Sequence, residues 1–92
     1  MEIPKSFQIF GETWKVKQLV KVDKKDNLGE CDLANNIIKI KKCLNQEQKE
    51  QTYLHEVMHC ILDNLGHDEL CMNEVLVDTI AKALHQIIKT SK

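Results

Sequence analysis

The sequence predicts an α+β fold, and a change of hydrophobic period midway along the 92 residues carries that prediction. Up to about residue 42 apolar residues recur at every second position, the mark of half-buried strands; from Asn45 onward they recur at the three-and-four spacing of a helix. Glycine and asparagine punctuation falls between the runs. We therefore expect a small, mostly antiparallel sheet of three or four strands over about residues 6–42. A helical hairpin packed on it should follow, with helices over about 46–64 and 69–89. Repeats, linkers and low-complexity segments are absent, so residues 1–92 read as one domain with one modest core.

Taken in order, Phe7 and Ile9 share a face of the first strand, and Gly11-Glu12 suits a tight hairpin turn. Trp14, Val16, Val20 and Val22 then alternate with Lys15, Lys17 and Lys21. Residues 23–30 are polar, include Gly29 and read as a loop. Cys31 and Leu33 alternate, Asn35-Asn36 forms a break, and Ile38 and Ile40 alternate with Lys39 and Lys41. Asn45 with Gln48 three residues on is a capping-box pattern, and Tyr53, Leu54, Val57, Met58, Ile61 and Leu62 supply the apolar face of the helix it opens. Gly66 can take the left-handed position that ends this helix. Asp68 can cap the second, whose apolar face runs through Leu76, Val77, Ile80, Ala81, Ala83, Leu84, Ile87 and Ile88.

Composition excludes several classes. A formal net charge of −1 supplies no field for nucleic acid or an anionic membrane, and all 13 basic residues are lysines. Any anion is thus bound without the bidentate fork of arginine. Apolar runs fall short of the roughly 20 residues a membrane span needs. The opening Met-Glu-Ile-Pro-Lys lacks the pattern of an export signal, so a cytoplasmic location is expected. In that setting Cys31, Cys43, Cys60 and Cys71 read as free thiols.

The chemistry concentrates in His55-Glu56-Val57-Met58-His59. Two histidines four apart lie on one helix face and can reach one metal ion. Glu56 lies about 100° further round, too far to be a ligand but placed to take a proton from water at the metal. With Gly66 as the pivot of an antiparallel hairpin, Glu74 comes level with His59 and Asp78 level with His55, at about 1.5 Å rise per residue. Glu74 is so placed as a third ligand, and Asp78 as acceptor for the free ring N–H of His55.

His55-Glu56-x-x-His59 followed by Asn73-Glu74-x-x-x-Asp78 resembles the gluzincin pattern of zinc metallopeptidases. The compact order of sheet, active-site helix and glutamate helix is similar to minimal gluzincins and to the phage and prophage metallopeptidases near the ImmA/IrrE type. The resemblance implies one zinc ion on His55, His59 and Glu74, Glu56 as general base, and a peptide or protein substrate. An extended substrate is expected to pair with a sheet edge, for which the strand from Ile37 to Ile40 is the candidate. The resemblance departs in the short gap between His59 and Glu74 and in the missing C-terminal subdomain, which leaves the oxyanion donor open; Tyr53 and His67 are candidates.

Other readings stand beside this one. Cys71, one turn before Glu74, offers soft sulfur to the same metal, and a site closed by four protein ligands would be structural rather than catalytic. The chain would then be an inactive, zinc-stabilised binding or regulatory protein. A metal-free helical hairpin with two accidental histidines is the remaining alternative. His85, some 16 Å along its helix from Glu74 at about 1.5 Å per residue, is too far to ligate this metal.

Overall fold

The structure, a computed structural model, describes residues 1–22 and 27–92. Among the described residues four strands form one sheet: β1 (Ser6–Ile9), β2 (Glu12–Leu19), β3 (Gly29–Asp32) and β4 (Ile37–Lys41). They are followed by helices α1 (Gln46–Asn64), α2 (Asp68–Cys71) and α3 (Glu74–Thr90). The predicted α+β class and the position of the first helix hold. Residues 23–26 of the expected 23–30 loop lie outside the described residues, and Gly29 and Glu30 belong to β3 rather than to that loop.

The sheet order is β1-β2-β4-β3. β1 with β2 and β3 with β4 are antiparallel as expected, but the central pair, β2 with β4, is parallel, so the sheet is mixed. Parallel neighbours need a crossover, here the segment containing β3, which places β4 inside the sheet and β3 at its edge. The expectation of an edge at Ile37–Ile40 is therefore corrected: β4 is paired on both sides. The hairpin turn is also displaced by one residue. Phe10 and Gly11, both at positive φ (50° and 78°), form it, and Glu12 begins β2. Two positive φ values match the right-handed twist of the flanking strands, and exposed Phe10 adopts a conformation that side chains other than Asn and Gly rarely take. β2 stops at Leu19, so Val20 does not continue the inward face and is 75% exposed, while Val22 is buried.

Trp14, Val16, Ile38 and Ile40 present the sheet's inner face to Tyr53 and Leu54 of α1. The capping box forms as predicted: the Gln48 N–H donates to Asn45 Oδ1 at 2.8 Å, and the Asn45 N–H to Gln48 Oε1 at 3.4 Å. At the other end Gly66 (φ 77°) lets its own N–H reach the Asp63 carbonyl and the His67 N–H reach Leu62, a Schellman arrangement.

The expected helix over 69–89 is two helices. α2 is a single turn, Asp68 makes no cap, and Asn73 accepts from the Leu76 N–H at 3.1 Å to start α3. An asparagine amide that caps the backbone outcompetes helix continuation at that point. The hairpin does not lie flat on the sheet. α1 is sandwiched between the strands and α3, so α3 buries only the narrow side carrying Val77, Ala81 and His85. Ala83, Leu84, Ile87 and Ile88, expected in the core, are exposed.

One close approach fixes how α1 crosses β3. A Cβ on Gly29 would stand 2.5 Å from Thr52 Cγ2, 2.9 Å from the Lys39 carbonyl oxygen and 3.3 Å from Glu56 Cγ. Neither a β-branched side chain packed in a helix nor a backbone carbonyl in a sheet yields cheaply. Gly29→Ala is expected to cost about 1–3 kcal/mol of stability, read as a lowered Tm in thermal denaturation.

Candidate metal centre

α1 and α3 run side by side, and the residues that sequence spacing singled out meet between them. His55 Nε2 lies 3.0 Å from Glu74 Oε2, His59 Nε2 lies 3.2 Å from Glu74 Oε1, and the two Nε2 atoms are 3.3 Å apart. Ligand atoms of these three residues all fall within 4.8 Å of one another. Zinc bound tetrahedrally at about 2.0–2.1 Å from each donor has its donors roughly 3.3–3.4 Å apart, a spacing the two Nε2 atoms meet, while Glu74 sets one oxygen against each histidine, and the donor types suit such an ion. Two imidazole nitrogens and one carboxylate leave a fourth position free.

Behind the ligands, His55 Nδ1 lies 3.3 Å from Asp78 Oδ1. In the tautomer that donates Nδ1–H to Asp78, Nε2 is the nitrogen left to ligate. Lys82 in turn bonds Asp78 Oδ2 at 2.9 Å, and this contact, ahead of His55, holds the Asp78 carboxyl below its ordinary range. The break before Asn73 shifted the second helix without spoiling the predicted meeting: Glu74 straddles both histidines, and Asp78 meets His55.

These groups open onto a cleft of about 930 Å³ lined by β3, α1 and α3, with Glu56 on its wall. Glu56 is 7% exposed, and burial pushes its carboxyl up to about 7; the neighbouring His55 opposes that rise, and Glu74 and Glu30 add to it. A base whose pKa lies near neutrality is well matched to proton transfer at physiological pH. A dication in the site would pull the value down.

Neither expected oxyanion donor reaches the cleft. Tyr53 is buried in the core with its ring edge-on to Phe7, and His67 is exposed at the start of α2. Side chains with donors that do line it include Asn27, Gln48, Gln51, Thr52 and Lys82. Cys71 stands on the opposite side of His59 from the ligand atoms, its Sγ 3.5 Å from Nδ1, so it is no member of the convergent set. Burial raises its pKa and keeps it a thiol. His85, as expected, takes no part in this site: its Nε2 is 2.8 Å from Glu50 Oε1.

Comparison with known proteins adds no identity. No family model matches the chain, and no curated protein or solved structure is similar to it. Among the described residues no helix is long and apolar enough to cross a membrane.

Proposed function

We propose that this chain is a zinc-dependent metallopeptidase of gluzincin type, acting in the cytoplasm on a peptide or protein substrate. The observation that carries the reading is the convergence of ligand atoms of His55, His59 and Glu74 within 4.8 Å of one another. Buried Glu56 on the wall of the same cleft supports it. Three convergent donors rather than four among the described residues favour an open, catalytic site over a closed, structural one.

Zinc held there would polarise a scissile carbonyl and bring a water's pKa to about 7. Glu56 takes the proton of the attacking water and passes it to the leaving amine, one carboxylate serving as base and then as acid. Asp78 holds the His55 ring in its ligating tautomer. Among the described residues β3 pairs with β4 on one side only, and its residues Gly29 to Cys31 line the cleft. An extended substrate adds to its outer edge through main-chain hydrogen bonds, so that its carbonyls pass in front of Glu56.

Elemental analysis of protein purified without a histidine tag tests the reading. About one zinc per chain is expected in the wild type, with stoichiometric zinc lost in His59→Ala and Glu74→Ala. Absence of zinc from wild-type protein, or its full retention in both variants, would overturn the assignment.

A further inference from the structure

We infer that Cys71 is a positioning residue for the metal centre, its side chain locking His59 in its ligating orientation from behind. This rests on the metal reading above and adds to it the device that holds the second histidine.

The geometry is specific to one residue pair. Cys71 Sγ lies 3.5 Å from His59 Nδ1 and donates its own hydrogen to the His59 carbonyl oxygen at 3.4 Å. With His59 ligating through Nε2, its proton sits on Nδ1 and is donated to sulfur. One side chain therefore ties the ring and the backbone of the same residue together, which limits rotation about both side-chain torsions. His59 is 14% exposed, and Nδ1 is thereby kept from other partners. Asp78 does for His55 what Cys71 does for His59, but without charge: a carboxylate makes its histidine a stronger donor, whereas a thiol orients without adding negative charge beside the metal.

The break between α2 and α3 is what makes this possible. On one continuous helix Cys71 and Glu74, three residues apart, would share a face and approach His59 from the same side. α2 ends at Cys71, Met72 and Asn73 leave the helix, and α3 begins afresh. Cys71 and Glu74 then address opposite nitrogens of the His59 ring, at 3.5 and 3.2 Å. The single turn of α2, which buries no residue of its own, delivers the thiol: the Cys71 N–H bonds the His67 carbonyl at 2.8 Å, and Cys71 packs with Met58, Leu62 and Val77.

Zinc affinity, measured by competition with a chromophoric chelator, tests this on wild type, Cys71→Ala and Cys71→Ser, with circular dichroism to confirm that each is folded. Cys71→Ala is expected to weaken zinc about tenfold, the lower end of what losing such a partner costs, and Cys71→Ser, which keeps a donor and an acceptor, to restore most of it. Cobalt substitution supplies a second readout. The wild-type cobalt spectrum is expected to lack a sulfur-to-metal charge-transfer band attributable to Cys71. Wild-type affinity in Cys71→Ala, a serine variant as weak as alanine, or a charge-transfer band that Cys71→Ser removes would each overturn the positioning role. A wild type that binds no zinc fails the metal reading itself, and this inference with it.

Discussion

Glu56→Gln protein loaded with zinc is expected to lose peptide hydrolysis by at least about 10²–10⁴-fold while keeping its metal. Glutamine fills the same volume but cannot take a proton, and Glu56 is not among the three convergent donors, so metal content is unaffected. The same substitution is expected to stabilise the metal-free protein. Burial lifts the Glu56 pKa from 4.5 to about 7, so the folded state disfavours the carboxylate more than the unfolded chain does. The sign follows: this residue costs nothing below about pH 4.5, and its cost grows as pH rises to 7 and stays constant above. Removing it should return on the order of 3 kcal/mol at pH 8 and almost nothing at pH 4. Thermal denaturation of apo wild type and apo Glu56→Gln at these two pH values measures it. Lost activity with a raised Tm separates a catalytic role from damage to the fold; full activity in Glu56→Gln would remove Glu56 from the mechanism. A stable fold that sacrifices stability at one buried carboxylate is the expected signature of a functional site.

What the sequence revealed of this site was local. The i, i+4 histidines, the capping box at Asn45 and the stop at Gly66 are decided within a few residues, and each formed as read. Glu74 and Asp78 could be placed by counting because two helices joined by a tight turn stay nearly level with one another. Counting could not give the break at Asn73, where one amide cap competes with helix continuation, nor therefore the side from which Cys71 approaches His59. The parallel β2–β4 pair and the edge position of β3 depend on a crossover, and period-two alternation is the same in either direction. The sequence does carry a signal for the Glu50–His85 pair. Glu50 sits on the same helical stripe as Tyr53 and Leu54, and His85 follows Ala81 by one turn. Polar residues on two facing apolar stripes point to a buried pair.

Glu50→Ala is expected to destabilise the domain by about 3 kcal/mol, which for a chain of this size lowers Tm by roughly 12 °C or more. Glu50 is 1% exposed, and its carboxylate accepts from His85 Nε2 at 2.8 Å and Gln46 Nε2 at 3.1 Å, with Lys89 Nζ at 3.3 Å and the Met1 amine at 3.4 Å. The hydrogen bond from His85, first among these, holds its pKa down to about 2. Truncation leaves His85, 5% exposed, buried without its acceptor, and the cost is that of the stranded partner rather than of the lost attraction. Replacing both residues, Glu50→Met with His85→Leu, leaves no buried imidazole without an acceptor; exposed Gln46 and Lys89 and the half-buried Met1 amine can turn to water, and most of the loss should be recovered. A carboxylate whose folded pKa is depressed gives stability that is fully present above its ordinary value of 4.5 and is lost as pH falls from there toward 2. Wild-type Tm should therefore fall more steeply than that of the double variant across that window. The pair also ties α1 to α3, the two helices that carry His55, His59 and Glu74, and would on the proposed reading help set the spacing of that group. Zinc binding should weaken in Glu50→Ala at temperatures where it is still folded, and recover in the double variant. Equal Tm in Glu50→Ala and wild type would mean that the pair is not buried as described, and the helix spacing would need another cause.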